Sequence, residues 1–246
     1  MTPDSRAAFP PTRWSMVLAA RQDGDHGNGR RALNELCAIY WQPVYSFARR
    51  RGHSPQDAED LAQGFFLRVI DESLLGKADA TQGKLRSFLL GAFQRYQREE
   101  WRKDTALKRG GGAVIFSMNS HEAEAAFKAE DPSVASPEEE FERRCALALL
   151  EAAMKKLGAE QSALGRGKAF EQLRPLLSPS SGGDDAQSHA TLAASLGLTE
   201  EASRAAVYRL RKRFREILRD VVADTLENPT EAAVDEELLA LRSALG

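Results

Sequence analysis

The chain has 246 residues, 42% of them hydrophobic and 28% charged, and a net charge of only −2. That composition suits one large or two small domains with ordinary soluble cores. No run approaches the ~18 apolar residues of a membrane span, no apolar signal core opens the chain, and Cys37 and Cys145 sit in apolar helical patterns as buried thiols do, so a cytoplasmic protein is expected.

The small total hides an alternation of charge along the chain. Residues 84–109 carry net +5 and residues 204–219 net +6, while 122–142 carry −7 and 220–246 carry −6. Each basic block is followed by an acidic one.

Helical patterns dominate, and alternating β-branched runs closed by Asn-Gly or Asp-Gly are nearly absent. A short helix is expected over 12–20, then a polar Gly-rich turn, "RQDGDHGNG", over 21–29. A long helix follows from about 30 to 51, with Leu33, Leu36, Cys37, Tyr40, Val44 and Phe47 on one stripe. Pro43 within it should kink or interrupt it.

Ser54, Pro55 and Asp57 form a helix start: a capping hydroxyl, a proline at the first position and an acid in the first turn. Ala58, Leu61, Ala62, Phe65, Phe66 and Val69 then make a core-facing stripe, with Asp60, Gln63, Gly64 and Leu67 on another face. After a mixed loop over 71–83, a second strong helix spans 84–103. Its inner stripe is Leu85, Phe88, Leu89, Ala92, Phe93 and Tyr96. Its other face is expected to carry Arg86, Arg95, Arg98 and Arg102, with Trp101 near the end.

"KRGGG" (108–112) breaks the pattern, and the acidic stretch to Pro137 reads as a linker. Apolar helices are expected over 138–157 (Phe141, Leu147, Leu149, Leu150, Met154, Leu157) and 167–177, separated by a flexible "SPSSGGDD" (178–185) from helices at 189–196 and 200–226. The last two have helix-turn-helix spacing. Gly197 suits the left-handed residue that ends the first, and Thr199 caps the second. Ala202, Ala206 and Leu210 fit its inner face. Arg204, Tyr208, Arg209, Arg211 and Lys212 project from the others. Such a helix fits a DNA major groove, with Arg211 onward meeting phosphates. Ser203 departs from the pattern, since an apolar residue commonly fills that place in such motifs.

No enzyme is expected. His26, His53, His121 and His189 are scattered without zinc-ligand spacing to a cysteine. "GRGK" (165–168) fails as a phosphate loop because Ser162 and Ala169 stand where glycine and Ser/Thr are required. No metal site or cofactor is expected.

Four segments together resemble the extracytoplasmic-function (ECF) sigma factors of bacterial RNA polymerase. "ALNELCAIYWQPVYSFARRRG" (32–52) resembles the first helix of the family's N-terminal domain, and "DAEDLAQGFFLRVI" (57–70) the helix that docks on the polymerase clamp. "GKLRSFLLGAFQRYQREEWRK" (83–103) resembles the segment that opens the promoter −10 element, and "LAASLGLTEEASRAAVYRLRKR" (192–213) the motif that reads the −35 element. "TRWSMVLAA" (12–20) resembles a sub-branch of such proteins. Gly64 departs from the acidic residue common after Gln63, and about 160–188 reads as an insertion.

The resemblance implies an all-α chain of two helical domains joined by a flexible acidic linker, the second holding the helix-turn-helix. The division is 12–107, a linker over 108–137, 138–226, and an acidic tail over 227–246. It implies polymerase docking by Asp57, Asp60, Gln63 and Leu67. Contact with the −10 element falls to Asp79, Lys84, Arg86, Arg95, Arg98, Trp101 and Arg102. Contact with the −35 element falls to Thr199, Arg204, Tyr208, Arg209, Arg211 and Lys212. The partners are core RNA polymerase and promoter DNA, with room for an anti-sigma factor or other regulator, and no membrane. The free domains are expected to pack together, opposite charges masking the DNA-binding surface. The alternative is a helix-turn-helix transcriptional regulator that acts without polymerase.

Overall fold

The computed structural model describes residues 26–70, 84–104, 120–128, 136–177 and 199–246. Among them the only regular elements are helices: α1 (His26–Arg50), α2 (Pro55–Ile70), α3 (Leu85–Asp104), α4 (Ser120–Lys128), α5 (Pro137–Ala163), α6 (Gly167–Leu173), α7 (Glu200–Ala223) and α8 (Glu231–Leu245), with a 3-10 turn at Arg174–Leu177. The all-α expectation holds. The expected helices at 12–20 and 189–196, Gly197 and the loop with Asp79 lie outside the described residues.

The chain divides into two compact units. The first combines residues 1–149 with 222–246, and the second is 150–221. Within the first, α1 packs on α2, α3 and α4, and α2 packs on α3. The stripes read from the sequence form its core. Tyr40, Val44, Phe47, Ala58, Ala62, Phe65, Phe66, Val69, Leu85, Ala92 and Phe93 are all buried. Edge-on ring contacts join three helices and α5: Phe65 to Phe93 at 5.1 Å, and Phe47 to Phe93 and to Phe141 at 6.1 Å each. Burying one such ring contributes about 1.5–3 kcal/mol.

Of the kink or interruption expected at Pro43, no interruption is seen: helix α1 continues through it, and it starts inside the stretch read as a turn. Proline removes one helical hydrogen bond, but Val44, Tyr45, Phe47 and Ala48 are buried just beyond it. Their burial outweighs that local loss. Helix α2 starts as its sequence announces: the Ser54 hydroxyl accepts from the Asp57 amide at 3.1 Å and donates to the Asp57 carboxylate at 2.7 Å.

The stretch read as a linker contains α4. Ala123 is buried, and Glu124 accepts from Arg49 (2.9 and 3.0 Å) and from the Tyr45 hydroxyl (2.7 Å). Arg49 also lies 4.7 Å over the Phe127 ring. Nine residues make a marginal helix alone, so these tertiary contacts hold it. Helix α5 begins with a reciprocal capping box: the Ser136 amide donates to Glu139 at 2.8 Å, and the Glu139 amide donates to the Ser136 hydroxyl at 3.2 Å. It runs past its expected end at 157. Phe141, Cys145, Leu149, Ala153 and Leu157 are its buried line, which leaves Leu147 exposed rather than in the core.

In the second unit, α6 stops where Pro175 cannot donate, and the chain tightens into the 3-10 turn. Phe170, Leu173, Leu176, Leu177, Val207, Leu210 and Ile217 are buried there. Thr199 caps α7 as expected, accepting from the Ala202 amide at 3.2 Å.

The 227–246 stretch holds α8, capped by Thr230, whose hydroxyl accepts from the Ala233 amide at 3.1 Å. Val234, Glu237 and Leu241 form its buried line. This acidic segment is a packed element of the first unit.

Candidate polymerase and nucleic-acid interfaces

The docking candidates share one outward arc of α2. At 100° per residue, Asp57, Asp60, Gln63 and Leu67 fall within about 120° of one another. Asp57 and Asp60 are exposed, and Gln63 and Leu67 are half-buried. Asp57 is tied to the cap, and the Gln63 amide donates to Glu59 at 3.3 Å. The face offers two carboxylates, an amide and an apolar edge to a basic or polar partner.

Gly64 has a physical explanation. A Cβ there would collide with the hydroxyl of Tyr96 on α3. Tyr96 is buried, lies 5.9 Å from Phe65, and carries Arg68 over its face at 5.2 Å. The glycine lets this large ring close the α2–α3 seam.

The basic face of α3 is smaller than the sequence grouping. Arg95, Arg98 and Arg102 fall within about 60° of one another and are exposed. Trp101, 71% exposed, lies beside them. Arg86 precedes Arg95 by nine residues, two and a half turns, and therefore points to the opposite side. That corrects its expected place on the Arg95 face.

Arg86 is 8% exposed and forms a two-point ion pair with Glu237 of α8, at 2.6 and 3.1 Å, and an ion pair with Glu142 of α5. Lys84 meets Glu236 at 3.3 Å and Glu237 at 3.1 Å. The Leu85 amide, one of the orphan donors at the start of α3, donates to the Thr225 carbonyl at 3.2 Å. Lys84 and Leu226 form an antiparallel bridge beside it. Nothing in the local pattern announced this cluster, because its partners come from distant parts of the chain. Tyr40 of α1 completes it through a side-chain hydrogen bond to Thr225, and burial raises its phenol well above the usual value.

On α7 the exposed side carries Arg204, Tyr208, Arg209 and Lys212, with Tyr208 66% exposed. Ser203, Val207, Leu210, Ile217 and Val221 are the buried line. Ser203, the departure in the motif, is inside, and its hydroxyl has no hydrogen-bond partner among the described residues. Arg204 pairs with Glu200 at 2.5 Å. Arg211 is half-buried and donates to the Leu176 carbonyl at 3.1 and 2.7 Å, so it braces the 3-10 turn. Arg213 grips Glu160 of α5 at 2.9–3.0 Å and Glu216 at 3.0 Å, and its guanidinium holds the Glu160 carboxyl below its usual pKa.

Among the described residues no group of three or more His, Cys, Asp or Glu is placed to hold a metal ion, and no helix is long and apolar enough to cross a membrane. Both cysteines are buried. Desolvation raises the Cys37 thiol to about 12 and the Cys145 thiol well above the usual value.

These described surfaces comprise an exposed acidic arc on α2 and exposed basic faces on α3 and α7. Residues 38–106 match the family model described as Sigma-70 region 2, a span that contains the α2 arc and the α3 basic face. The match gives the chain a region similar to Sigma-70 region 2 over less than half of its length. Neither the curated proteins nor the solved structures give a significant match to the chain.

Proposed function

We propose that the chain is an alternative sigma factor of the ECF type, a cytoplasmic protein that docks on core RNA polymerase and directs it to promoters with −10 and −35 elements. The observation that carries this reading is the region 2 match over 38–106 in a chain whose second unit turns a run of cations outward along α7. Asp57, Asp60, Gln63 and Leu67 dock on the polymerase clamp. Arg95, Arg98, Trp101 and Arg102, together with Asp79, line the path of the opened −10 strand. There the cations meet phosphates and the indole offers a stacking surface worth about 1–3 kcal/mol per base. Lys84 and Arg86 join that set only when the carboxylates that hold them are withdrawn. Arg204, Tyr208, Arg209 and Lys212 read the −35 element, Thr199 fixes the start of their helix, and Arg211 positions it through the 3-10 turn.

Transcription from reconstituted holoenzyme tests the proposal. The chain is mixed with bacterial core polymerase and genomic DNA, and transcript 5′ ends are sequenced. Start sites that share two upstream elements, and that disappear with Arg204→Ala/Arg209→Ala, are the expected result. Sequence-specific DNA binding by the chain alone, with no polymerase-dependent start sites, would replace this reading with the polymerase-independent regulator.

A further inference from the structure

The turn that launches α2 is held from a distant part of the chain. Helix α1 ends in a Schellman arrangement. The Gly52 amide donates to the Arg49 carbonyl at 3.0 Å and the His53 amide to the Ala48 carbonyl at 3.3 Å, with Gly52 at a φ of 92°. Ser54 then caps α2. Between Gly52 and Ser54 stands His53 alone. Its carbonyl accepts from the Arg49 Nη1 at 2.5 Å, and its ring Nε2 lies 3.4 Å from the Gln97 Nε2 of α3.

Arg49 is held in turn by α4. Its Nε and Nη2 donate to the two carboxylate oxygens of Glu124 at 2.9 and 3.0 Å, and its guanidinium lies 4.7 Å over the Phe127 ring. The two side chains of this ion pair are only 16% and 14% exposed. The rigid fork of a guanidinium reaches the carboxylate and the turn carbonyl at once, which a single ammonium does not. Glu124 lies beyond the region 2 match, which ends at residue 106.

The consequence falls on Asp57 and Asp60. The buried stripe of α2 begins at Ala58, so the direction of its first turn depends on the Gly52–Ser54 connection. Asp60 lies six residues past Ser54, about 9 Å along the axis. A tilt of about 10° at Ser54 moves it by about 1.6 Å. That is enough to take a charged hydrogen bond of about 2.8 Å out of range.

We propose that Arg49 and Glu124 are positioning residues for polymerase docking: α4, through Glu124, sets the direction in which α2 presents Asp57 and Asp60. The inference rests on the docking reading given above. The two residues act through the acids of α2 and not by touching polymerase. The stretch read as a linker thereby contributes to polymerase binding through a folded helix.

A double-mutant cycle on the full chain tests it. Affinity for core polymerase is measured for the parent, Glu124→Ala, Asp60→Ala and the two combined, at a temperature where circular dichroism shows all four folded. Glu124→Ala is expected to weaken binding about tenfold in the parent and less than threefold once Asp60 is alanine, because its cost is a misplaced Asp60. Arg49→Lys, which keeps the charge and loses the fork, should weaken binding at least fivefold.

Equal binding by Glu124→Ala and the parent overturns the inference. So does the same loss in both backgrounds, the signature of a role in stability alone. Either result leaves the docking reading intact. A parent that does not bind polymerase overturns that reading and the inference with it. Should Glu124→Ala not fold, Glu124→Gln takes its place in the cycle and the same outcomes decide.

Discussion

Arg86 and Glu237, 151 positions apart in the chain, face each other through two hydrogen bonds with both side chains buried. A buried pair of this kind is costly to break from one side, because the survivor keeps its charge without its partner. Glu237→Ala should therefore lower stability by about 3 kcal/mol in urea denaturation. Replacing both, as Arg86→Met/Glu237→Leu, should cost less than either single change. A double variant as unstable as the sum of the singles would show that the two side chains do not act as a pair.

Gly64 and Tyr96 should be coupled. Alanine in a helix interior ordinarily gains about 1 kcal/mol over glycine. Here the added Cβ meets the Tyr96 hydroxyl, and overpacking costs about 1–3 kcal/mol. Gly64→Ala is expected to destabilise the parent and to stabilise a Tyr96→Phe background, where the hydroxyl is gone. Thermal melts of the four proteins check this; the same sign in both backgrounds contradicts it.

The Glu124 carboxyl is held below its usual value of 4.5, chiefly by its hydrogen bonds from Arg49. A depressed folded-state pKa means stability that is present above the unfolded value and lost as pH falls through the folded one. Glu124→Gln should cost about 1.5–3 kcal/mol at pH 7, the range for a charged hydrogen bond. The difference between parent and variant should stay constant down to about pH 5 and shrink below the unfolded value of 4.5. Denaturation curves at pH 7, 5 and 3.5 measure it. A difference that grows on acidification would assign the wrong ionisation to the α1–α4 contact.

Ser203 is buried with no hydrogen-bond partner among the described residues. An unmade buried hydrogen bond costs about 1–3 kcal/mol. Ser203→Ala should raise the melting temperature. A fall would mean that the hydroxyl is satisfied in solution.

Local periodicity made the core of the first unit legible. The Ala58–Val69 and Leu85–Tyr96 stripes and the Ser54 and Thr199 caps are set by residues three or four positions apart, and they stand as read. What the sequence concealed is long-range. Glu124 looks like one charge in an acidic linker until Arg49, 75 positions away, is seen to bind it. Glu237 looks like a solvated tail residue until Arg86 is placed opposite. Arg86 misleads for a simpler reason. Its charge suggests a place beside Arg95, Arg98 and Arg102, but nine residues on a helix turn it to the opposite side.

The central claim is that the acidic arc of α2 docks the chain on RNA polymerase. The most direct measurement is size exclusion of the purified chain with bacterial core polymerase, run beside Asp60→Ala/Gln63→Ala, whose folding is checked by circular dichroism. The account predicts co-elution of the parent and loss of co-elution by the folded double variant. A parent that elutes apart from polymerase, or a double variant that binds as well as the parent, would contradict it.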